Sequence, residues 1–156
     1  LNKIKKDNKL DQPIVIKLSP DIDSKDISRI IELVEKYNIQ GIIVSNTTDT
    51  NREKLSDIKK NEAGGLSGQP LKNISTNLIK KFYRETKGKI KIIGVGGVDS
   101  GQSAFEKITA GADVVQLYTG MVYKGPGIVK DIKKELISIL KKENFKDISQ
   151  AIGINA

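Results

Sequence analysis

The chain has 156 residues, enough for one domain with a buried core, and its 37% hydrophobic and 29% charged residues are typical of soluble globular proteins. It contains no cysteine and no histidine, which excludes disulfides, thiolate chemistry and the commonest metal ligand, so we predict no metal site. The net charge is +8, but most lysines are interleaved with acidic residues and form no basic stripe with aromatic side chains, so we predict no nucleic-acid partner.

Apolar runs and helical stripes alternate along the chain. Strands are predicted near 14–18, 41–45, 91–95 and 113–118, with the first one buried. Helices are predicted at 24–37, from 75 to just before 88, at 101–110, at 126–142 and, as a short last helix, at 147–152. This pattern indicates an α/β fold with a parallel sheet and right-handed crossovers. Four parallel strands do not close a barrel of eight, so the chain forms either a small open sheet or half of a barrel.

Residues that favour helix ends mark several of these boundaries. Asp23 or Ser24 can cap the first helix, and Ser75 can cap the second. Gly88 can end the second helix, and Pro126 suits the first turn of the long helix.

The segment 46–73 follows the second strand and has about 28 residues with little apolar periodicity. Connections longer than roughly 15 residues without regular structure are usually functional loops or disordered. Because it lies between two predicted strand ends, we predict an active-site loop and expect it to be the most mobile part of the chain. Ser67, between glycines in this segment, is more simply a loop residue.

Glycines follow the third strand directly, at Gly94, Gly96 and Gly97, and a helix is predicted just beyond them. Such a turn lets backbone N–H groups approach a ligand, and the helix adds its positive end. The fourth strand ends at Tyr118 and Thr119, where a hydroxyl is available. Together these features predict a phosphate site and a phosphorylated cofactor. Similar turns occur in sugar-phosphate and nicotinamide proteins, so the residues alone leave the cofactor open.

Polar residues at the first two strands have two interpretations each. Lys17 is either an outward residue that reaches solvent or a buried cation aimed at an anionic ligand. Asn46 and Thr47 either support a turn or bind a small planar ligand rich in carbonyl and N–H groups. Asp21 and Asp99 are most simply helix-start residues.

In five segments the chain resembles class 2 (quinone-dependent) dihydroorotate dehydrogenases. These segments are IVIKLSPD at 14–21, GIIVSNTT at 41–48, GGLSGQPL at 64–71, the run IIGVGGVDSGQSAFEKITAGADVVQLYTGMVYKGP at 92–126, and AIG at 151–153. The resemblance is to the C-terminal half of that family. It implies that residues 1–156 form strands five to eight of an FMN-binding (β/α)8 TIM barrel, which oxidises dihydroorotate to orotate and passes electrons to a membrane quinone.

The resemblance also implies roles for individual residues. The positions that match FMN contacts are Lys17, Ser45, Gly68, Gly97, Tyr118 and Thr119. Lys17 would stabilise the reduced ring, Gly68 and Gly97 would let the backbone approach FMN, and Tyr118 with Thr119 would hold the phosphate. Ser45 is often threonine in the family, which keeps the hydroxyl. Asn46 and Thr47 match orotate-binding positions.

No residue of the chain matches the family's catalytic serine, and the resemblance assigns no catalytic residue. The first four strands and the membrane-binding helices of the family also have no counterpart, and the sequence begins with Leu. We therefore expect no turnover by this chain alone, and a second chain or self-association to complete the barrel. The alternatives are a non-catalytic half-barrel that binds a phosphorylated ligand and an inactive truncated remnant. Without a signal peptide or an apolar span, the chain is expected to be cytoplasmic, with membrane association only for a full-length protein.

Overall fold

The computed structural model describes residues 2–9, 11–50 and 52–156. Its described part contains one four-stranded sheet, in the order β1-β2-β3-β4 with all neighbours parallel. The strands are β1 (Val15–Leu18), β2 (Gly41–Val44), β3 (Lys91–Val95) and β4 (Val114–Gln116). The predicted parallel order is confirmed. β4 ends two residues before the predicted Tyr118, because Tyr118 has ψ −69° and no longer extends the strand.

Helices follow the strands. They are α1 (Asn2–Asp7), α2 (Ile27–Lys36), α3 (Lys72–Thr86), α4 (Gly101–Thr109), α5 (Thr119–Lys124) and α6 (Ile128–Lys142), with 3-10 turns at Ser24–Asp26, Gln69–Leu71 and Ile148–Ala151. The sequence analysis missed α1 and α5. It also placed the start of α6 at Pro126, which lies instead between α5 and α6. Gly125, with φ +73°, ends α5 there.

Helix ends confirm some predicted boundaries and correct one. Asp23 accepts a hydrogen bond from the N–H of Lys25 at the start of the first 3-10 turn, as expected of a cap. Gly88 follows α3 with φ +71°. Ser75 is not a cap, because α3 already begins at Lys72 after a 3-10 turn. The Ser75 side chain is fully buried and donates to the carbonyl oxygen of Leu71 at 2.9 Å.

The two faces of the sheet have different surroundings. On one face, Ile42, Val44 and Ile92 are buried against α2 and α3. On the other face, a row of paired residues crosses the sheet at Lys17, Ile43, Ile93 and Val114. Lys17 and Val114 are exposed and the two isoleucines are only partly buried. The prediction that β1 is buried is therefore wrong for Val15 and Lys17, because the chain's helices cover only one face. We call the uncovered side the open face.

A second apolar cluster joins α4 and α6. Val98, Ala104, Ile128 and Ile132 are buried together. This packing fixes the segment that follows β3, so the glycine turn at Gly96 and Gly97 lies between two packed elements. Within the described ranges, no helix is both long and apolar enough to cross a membrane.

Candidate functional site

A cavity of about 460 Å³ lies at the carboxyl ends of the four strands. Every residue that the sequence analysis assigned to a ligand lines it: Lys17, Ser45, Asn46, Thr47, Gly68, Gly97, Tyr118 and Thr119. The structure thus brings together residues separated by up to about 100 positions in the sequence. Parallel strands place their carboxyl ends at one edge of the sheet, which is why the loops that follow them meet there.

Lys17 lies on the open face and is exposed, so it is not a cation buried inside this chain. Lys17 is nevertheless among the residues that line the cavity. Of the two interpretations, solvent access is correct for the chain as it stands. Because Lys17 also lies beside the cavity, its position is compatible with contact to a bound ligand.

The end of β2 is fixed by hydrogen bonds. The N–H of Ser45 donates to the carbonyl of Val95 at 3.2 Å, and the N–H of Asn46 donates to the carbonyl of Leu18 at 2.7 Å. The Ser45 hydroxyl is 1% exposed and donates to the carbonyl of Asn46. The peptide bond between Val44 and Ser45 is cis. Asn46 and Thr47 are exposed at the cavity, on a backbone held by neighbouring strands.

The glycine turn at Gly96 and Gly97 packs directly on the first turn of α3. Gly97 has φ +70°, and a Cβ there would lie 2.5 Å from the Cβ of Lys72 and 2.8 Å from its Cα. Gly96 has φ +114°, and its Cβ would lie 2.8 Å from the Ser75 hydroxyl. In the described part of the chain, the N–H groups of Gly96 and Gly97 donate to no other backbone or side-chain acceptor. Both residues line the cavity, and a turn with unpaired N–H groups is of the kind that binds anions.

The start of α4 does not offer its positive end to a ligand, contrary to the prediction. Ser100 and Ser103 form a reciprocal capping box there. The N–H of Gly101 donates to the carboxylate of Glu135 on α6. Because these donors are engaged within the chain, an anion would depend on the glycine turn and the hydroxyl of Thr119.

Both ends of the segment 46–73 reach the cavity, which is lined by Asn46, Thr47 and residues 66–71. Thr48 and Leu66 form an antiparallel bridge across its base. The Ser67 hydroxyl lies 2.8 Å from that of Thr119, so Ser67 links the loop to the end of β4. Gly68 has φ +82°, and a Cβ there would lie 2.9 Å from Thr119. The two ends of the loop thus lie at the cavity, and its role as an active-site loop stays a prediction.

Asp21 anchors the same loop and is not a helix-start residue. Its carboxylate accepts hydrogen bonds from the Thr48 hydroxyl at 2.5 Å, the Asp49 N–H at 3.0 Å and the Thr50 hydroxyl at 3.0 Å. Partial burial raises the pKa of Asp21, but these three donors together lower it below the ordinary value of a carboxyl. The ionised form therefore holds the loop.

Asp99 lies beside the cavity, and Lys124 of α5 reaches it. The ammonium of Lys124 donates to the Asp99 carbonyl at 2.9 Å and lies 4.0 Å from its carboxylate. The Asp99 carboxylate also accepts from the Ser103 hydroxyl at 3.3 Å. Asp99 therefore joins the start of α4 to α5, which extends its predicted role.

Lys107 on α4 is a buried residue that the sequence analysis missed. It is 0% exposed, and desolvation lowers the pKa of its ammonium to about 7. Its Nζ donates to the Ser75 hydroxyl at 2.7 Å, the Thr76 hydroxyl at 3.0 Å and the Lys72 carbonyl at 3.3 Å. A lysine one turn from Ala104, on the apolar side of a helix, was the signal available in the sequence.

Comparison with known proteins identifies the family. The model of the family described as dihydroorotate dehydrogenase matches residues 1–140. The chain belongs to the dihydroorotate dehydrogenase family. This confirms the resemblance seen in the sequence motifs.

Two curated relatives illustrate the match. The chain is 45% identical over 162 residues to the dihydroorotate dehydrogenase (quinone) of Trichodesmium erythraeum, covering 99% of this chain and 43% of that protein. It is 43% identical over 142 residues to the mitochondrial dihydroorotate dehydrogenase (quinone) of Mus musculus, covering 91% and 36%. The chain thus spans less than half the length of these relatives.

The fold matches solved structures of the same family. Ligand-free DHODH from Eimeria tenella superimposes with a TM-score of 0.87 at 37% identity, covering 90% of this chain and 39% of that one. The complex of Eimeria tenella DHODH with ferulenol gives a TM-score of 0.88 at 36% identity, covering 92% and 38%. The parallel α/β architecture is therefore that of this family.

Proposed function

We propose that this chain supplies the FMN-phosphate site and part of the orotate site of a quinone-dependent dihydroorotate dehydrogenase, as strands five to eight of its (β/α)8 barrel. One observation carries the proposal: all eight residues assigned to cofactor or substrate line a single cavity at the strand ends. Family membership adds support, because the relatives carry the name of this activity.

The glycine turn would hold the phosphate of FMN. The N–H groups of Gly96 and Gly97 have no acceptor among the described residues, and the Thr119 hydroxyl lies at the same side of the cavity. Backbone N–H groups in such a turn form a concave, positively polarised surface suited to phosphate. Tyr118, which is 77% exposed, has its side chain free to lie along the cofactor. Gly68, where a Cβ would lie 2.9 Å from Thr119, would let the backbone approach the cofactor beside that hydroxyl.

Lys17 and Ser45 would contact the flavin ring. FMN, when bound, supplies the redox chemistry by accepting electrons from dihydroorotate and passing them to the quinone. An ammonium beside the ring favours the negative charge of the reduced form, so Lys17 would raise the affinity for that form. Ser45 is held rigidly by its bonds to Val95 and Asn46, which fixes the distance of its backbone from the ring.

Asn46 and Thr47 would bind the pyrimidine edge of dihydroorotate or orotate. The amide of Asn46 offers two donors and one acceptor, and the hydroxyl of Thr47 offers one donor. These groups match the alternating carbonyl and N–H groups of a pyrimidine. Their strand-anchored backbone keeps them oriented without a ligand.

We assign proton abstraction to no residue of this chain. The serine hydroxyls that line the cavity are engaged: Ser45 with Asn46, and Ser67 with Thr119. General-base catalysis contributes about 10²–10⁴-fold to a rate, so a chain without a positioned base would turn over very slowly. The base is proposed to come from the other four strands of the barrel, whether in the same polypeptide or in a separate one, and these strands would also cover the open face.

Flavin binding is the direct test. We expect the purified chain to bind FMN, seen as a change in flavin fluorescence, and to bind riboflavin, which lacks the phosphate, more weakly. Dihydroorotate oxidation with a quinone or dye acceptor should then appear only when a polypeptide carrying the other four strands is added. Equal affinities for FMN and riboflavin would contradict the proposal that the glycine turn binds the phosphate. Failure to bind any flavin, even with the completing half present, would overturn the proposed function.

A further inference from the structure

The three acceptors of the Lys107 ammonium belong to the first turn of one helix, α3. They are the carbonyl of Lys72 and the hydroxyls of Ser75 and Thr76, between 2.7 and 3.3 Å away. All three protons of the ammonium therefore have an acceptor. The side chain joins the buried face of α4 to the start of α3, directly beneath the end of β3, where a Cβ on Gly94 would lie 3.2 Å from the Cδ of Lys107.

No carboxylate of the described residues forms an ion pair with Lys107. The neighbouring acid, Glu106, pairs with Lys72 at 2.8 Å. A buried ammonium without a charged partner costs free energy, and an apolar side chain of similar length at this position would avoid that cost. A lysine at this position therefore does not increase the overall stability of the fold. We infer that its hydrogen bonds to α3 serve a local purpose.

Two of the residues that accept from Lys107, Lys72 and Ser75, also contact the glycine turn. The Ser75 hydroxyl accepts from Lys107 Nζ at 2.7 Å, donates to the Leu71 carbonyl at 2.9 Å, and lies 3.4 Å from the carbonyl oxygen of Gly96. The backbone of Lys72 is so close to Gly97 that a Cβ there would lie 2.8 Å from its Cα. A shift in the first turn of α3 would consequently move Gly96 and Gly97.

We propose that Lys107 is a positioning residue for the anion-binding turn, which it holds in place through Ser75 and the Lys72 carbonyl. The inference rests on the proposed function, in which Gly96 and Gly97 bind the phosphate of FMN. Lys107 does not line the cavity and touches no ligand; it fixes the backbone that does.

The test compares FMN with riboflavin in four variants, each assembled with the completing half if the chain alone does not bind flavin. Lys107→Met removes the ammonium, and Ser75→Ala removes the link to Gly96. Thr76→Val is the matched control, because Thr76 also contacts Lys107 but has no hydrogen bond to the turn. Lys91→Met controls for loss of a positive charge at an exposed site.

We expect Lys107→Met and Ser75→Ala to weaken FMN binding by about tenfold, the size expected for a displaced charge-assisted hydrogen bond, while riboflavin binding changes by less than about twofold. Thr76→Val and Lys91→Met should keep the wild-type ratio of the two affinities. A merely structural role would lower both affinities together. An unchanged ratio in both Lys107→Met and Ser75→Ala would overturn the proposal.

A second measurement needs no flavin and separates this inference from the proposed function. The amide NMR resonances of Gly96 and Gly97 in the flavin-free chain should shift or broaden in Lys107→Met and Ser75→Ala, and stay in place in Lys91→Met. If they stay in place in all variants, Lys107 does not position the turn, whether or not the chain binds FMN.

Discussion

The two faces of the sheet differ in what covers them. Ile92 and Ile93 are neighbours on β3, yet Ile92 is 0% exposed against α3 while Ile93 lies partly buried on the open face. The helix-covered face is closed by this chain alone. The open face, with Val114 55% exposed, carries the apolar side chains of a surface that is buried in a closed barrel. The face that this chain buries completely is therefore not the part of the sheet that carries the candidate site.

Because of this difference, we expect folding to need only this chain, and turnover to need the further strands that cover the open face. Folding depends mainly on the helix-covered face, since most of the buried apolar side chains lie there. Under the proposed function, ligand binding depends on the strand ends, where the loops meet the open face. The following predictions test the contrast, beginning with the largest expected effect.

Ile92→Ala and Ile93→Ala form a matched pair. Removing a fully buried isoleucine side chain costs about 2–5 kcal/mol, so Ile92→Ala should lower the free energy of unfolding by that amount. Ile93→Ala should cost less than about 1 kcal/mol, because its surroundings on the open face are incomplete. Urea denaturation of both variants measures the difference. Equal losses would show that the open face is already covered, for example by a second copy.

Gly97→Ala and Gly125→Ala compare the cost of backbone strain alone with the cost of strain plus a steric clash. Both glycines have a positive φ near +70°, which costs an alanine about 1–2 kcal/mol. A Cβ at Gly125 meets nothing within 4 Å, whereas at Gly97 it meets Lys72 at 2.5 Å, which adds about 1–3 kcal/mol of overpacking. Gly97→Ala should therefore be the less stable variant and should also lose FMN binding. Thermal melts and flavin fluorescence measure both effects, and retained FMN affinity in Gly97→Ala would exclude the turn from the site.

The buried Lys107 should make stability depend on pH. Its pKa is about 7 in the folded chain, against about 10.4 for an unfolded lysine, so between these values the unfolded state binds more protons. Stability contributed by this group should rise with pH, by about 2 kcal/mol from pH 7 to pH 9. Glu106 and Lys72 are the charged groups that face it. Urea denaturation at both pH values should show the increase relative to Lys107→Met, and no difference between the two chains would contradict it.

Lys17→Met should have the smallest effect on stability. An exposed lysine without close partners usually contributes within about 0.5 kcal/mol. The same change should weaken FMN binding, because Lys17 lines the cavity and its ammonium is proposed to contact the flavin. Lys133→Met, on the exposed side of α6, is the control and should leave both quantities unchanged. Flavin titration measures the FMN affinity of both variants. Equal affinities would show that Lys17 does not contact the flavin.

Local sequence patterns identified most of the fold. The four strands and their parallel order followed from apolar runs separated by helical stripes, because each pattern depends on residues close in the sequence. Helix ends were harder. Ser75 has the residue type of a cap, but the 3-10 turn before α3 makes it an interior residue. α5 is too short for a periodic pattern, and Gly125 separates it from α6 only through its backbone conformation.

In the candidate site, too, local motifs were predictable and contacts between distant residues were not. Motif resemblance selected eight of the residues that line the cavity, since each lies in a short recognisable segment. Asp21 and Lys107 were misjudged or missed, because their partners are far away in the sequence. Asp21 meets Thr48 across 27 positions, and Lys107 meets Ser75 across 32.

By itself, the sequence determined the α/β class, the strand order, the family and the residues at the strand ends, because these depend on local pattern and on motifs. Only the tertiary structure decided that one face of the sheet is open, that the N–H of Gly101 at the start of α4 donates to Glu135, and that Lys107 is buried against the first turn of α3. These features depend on which helices pack against which strands. Burial and partner choice arise from contacts between distant segments, which a local pattern does not specify.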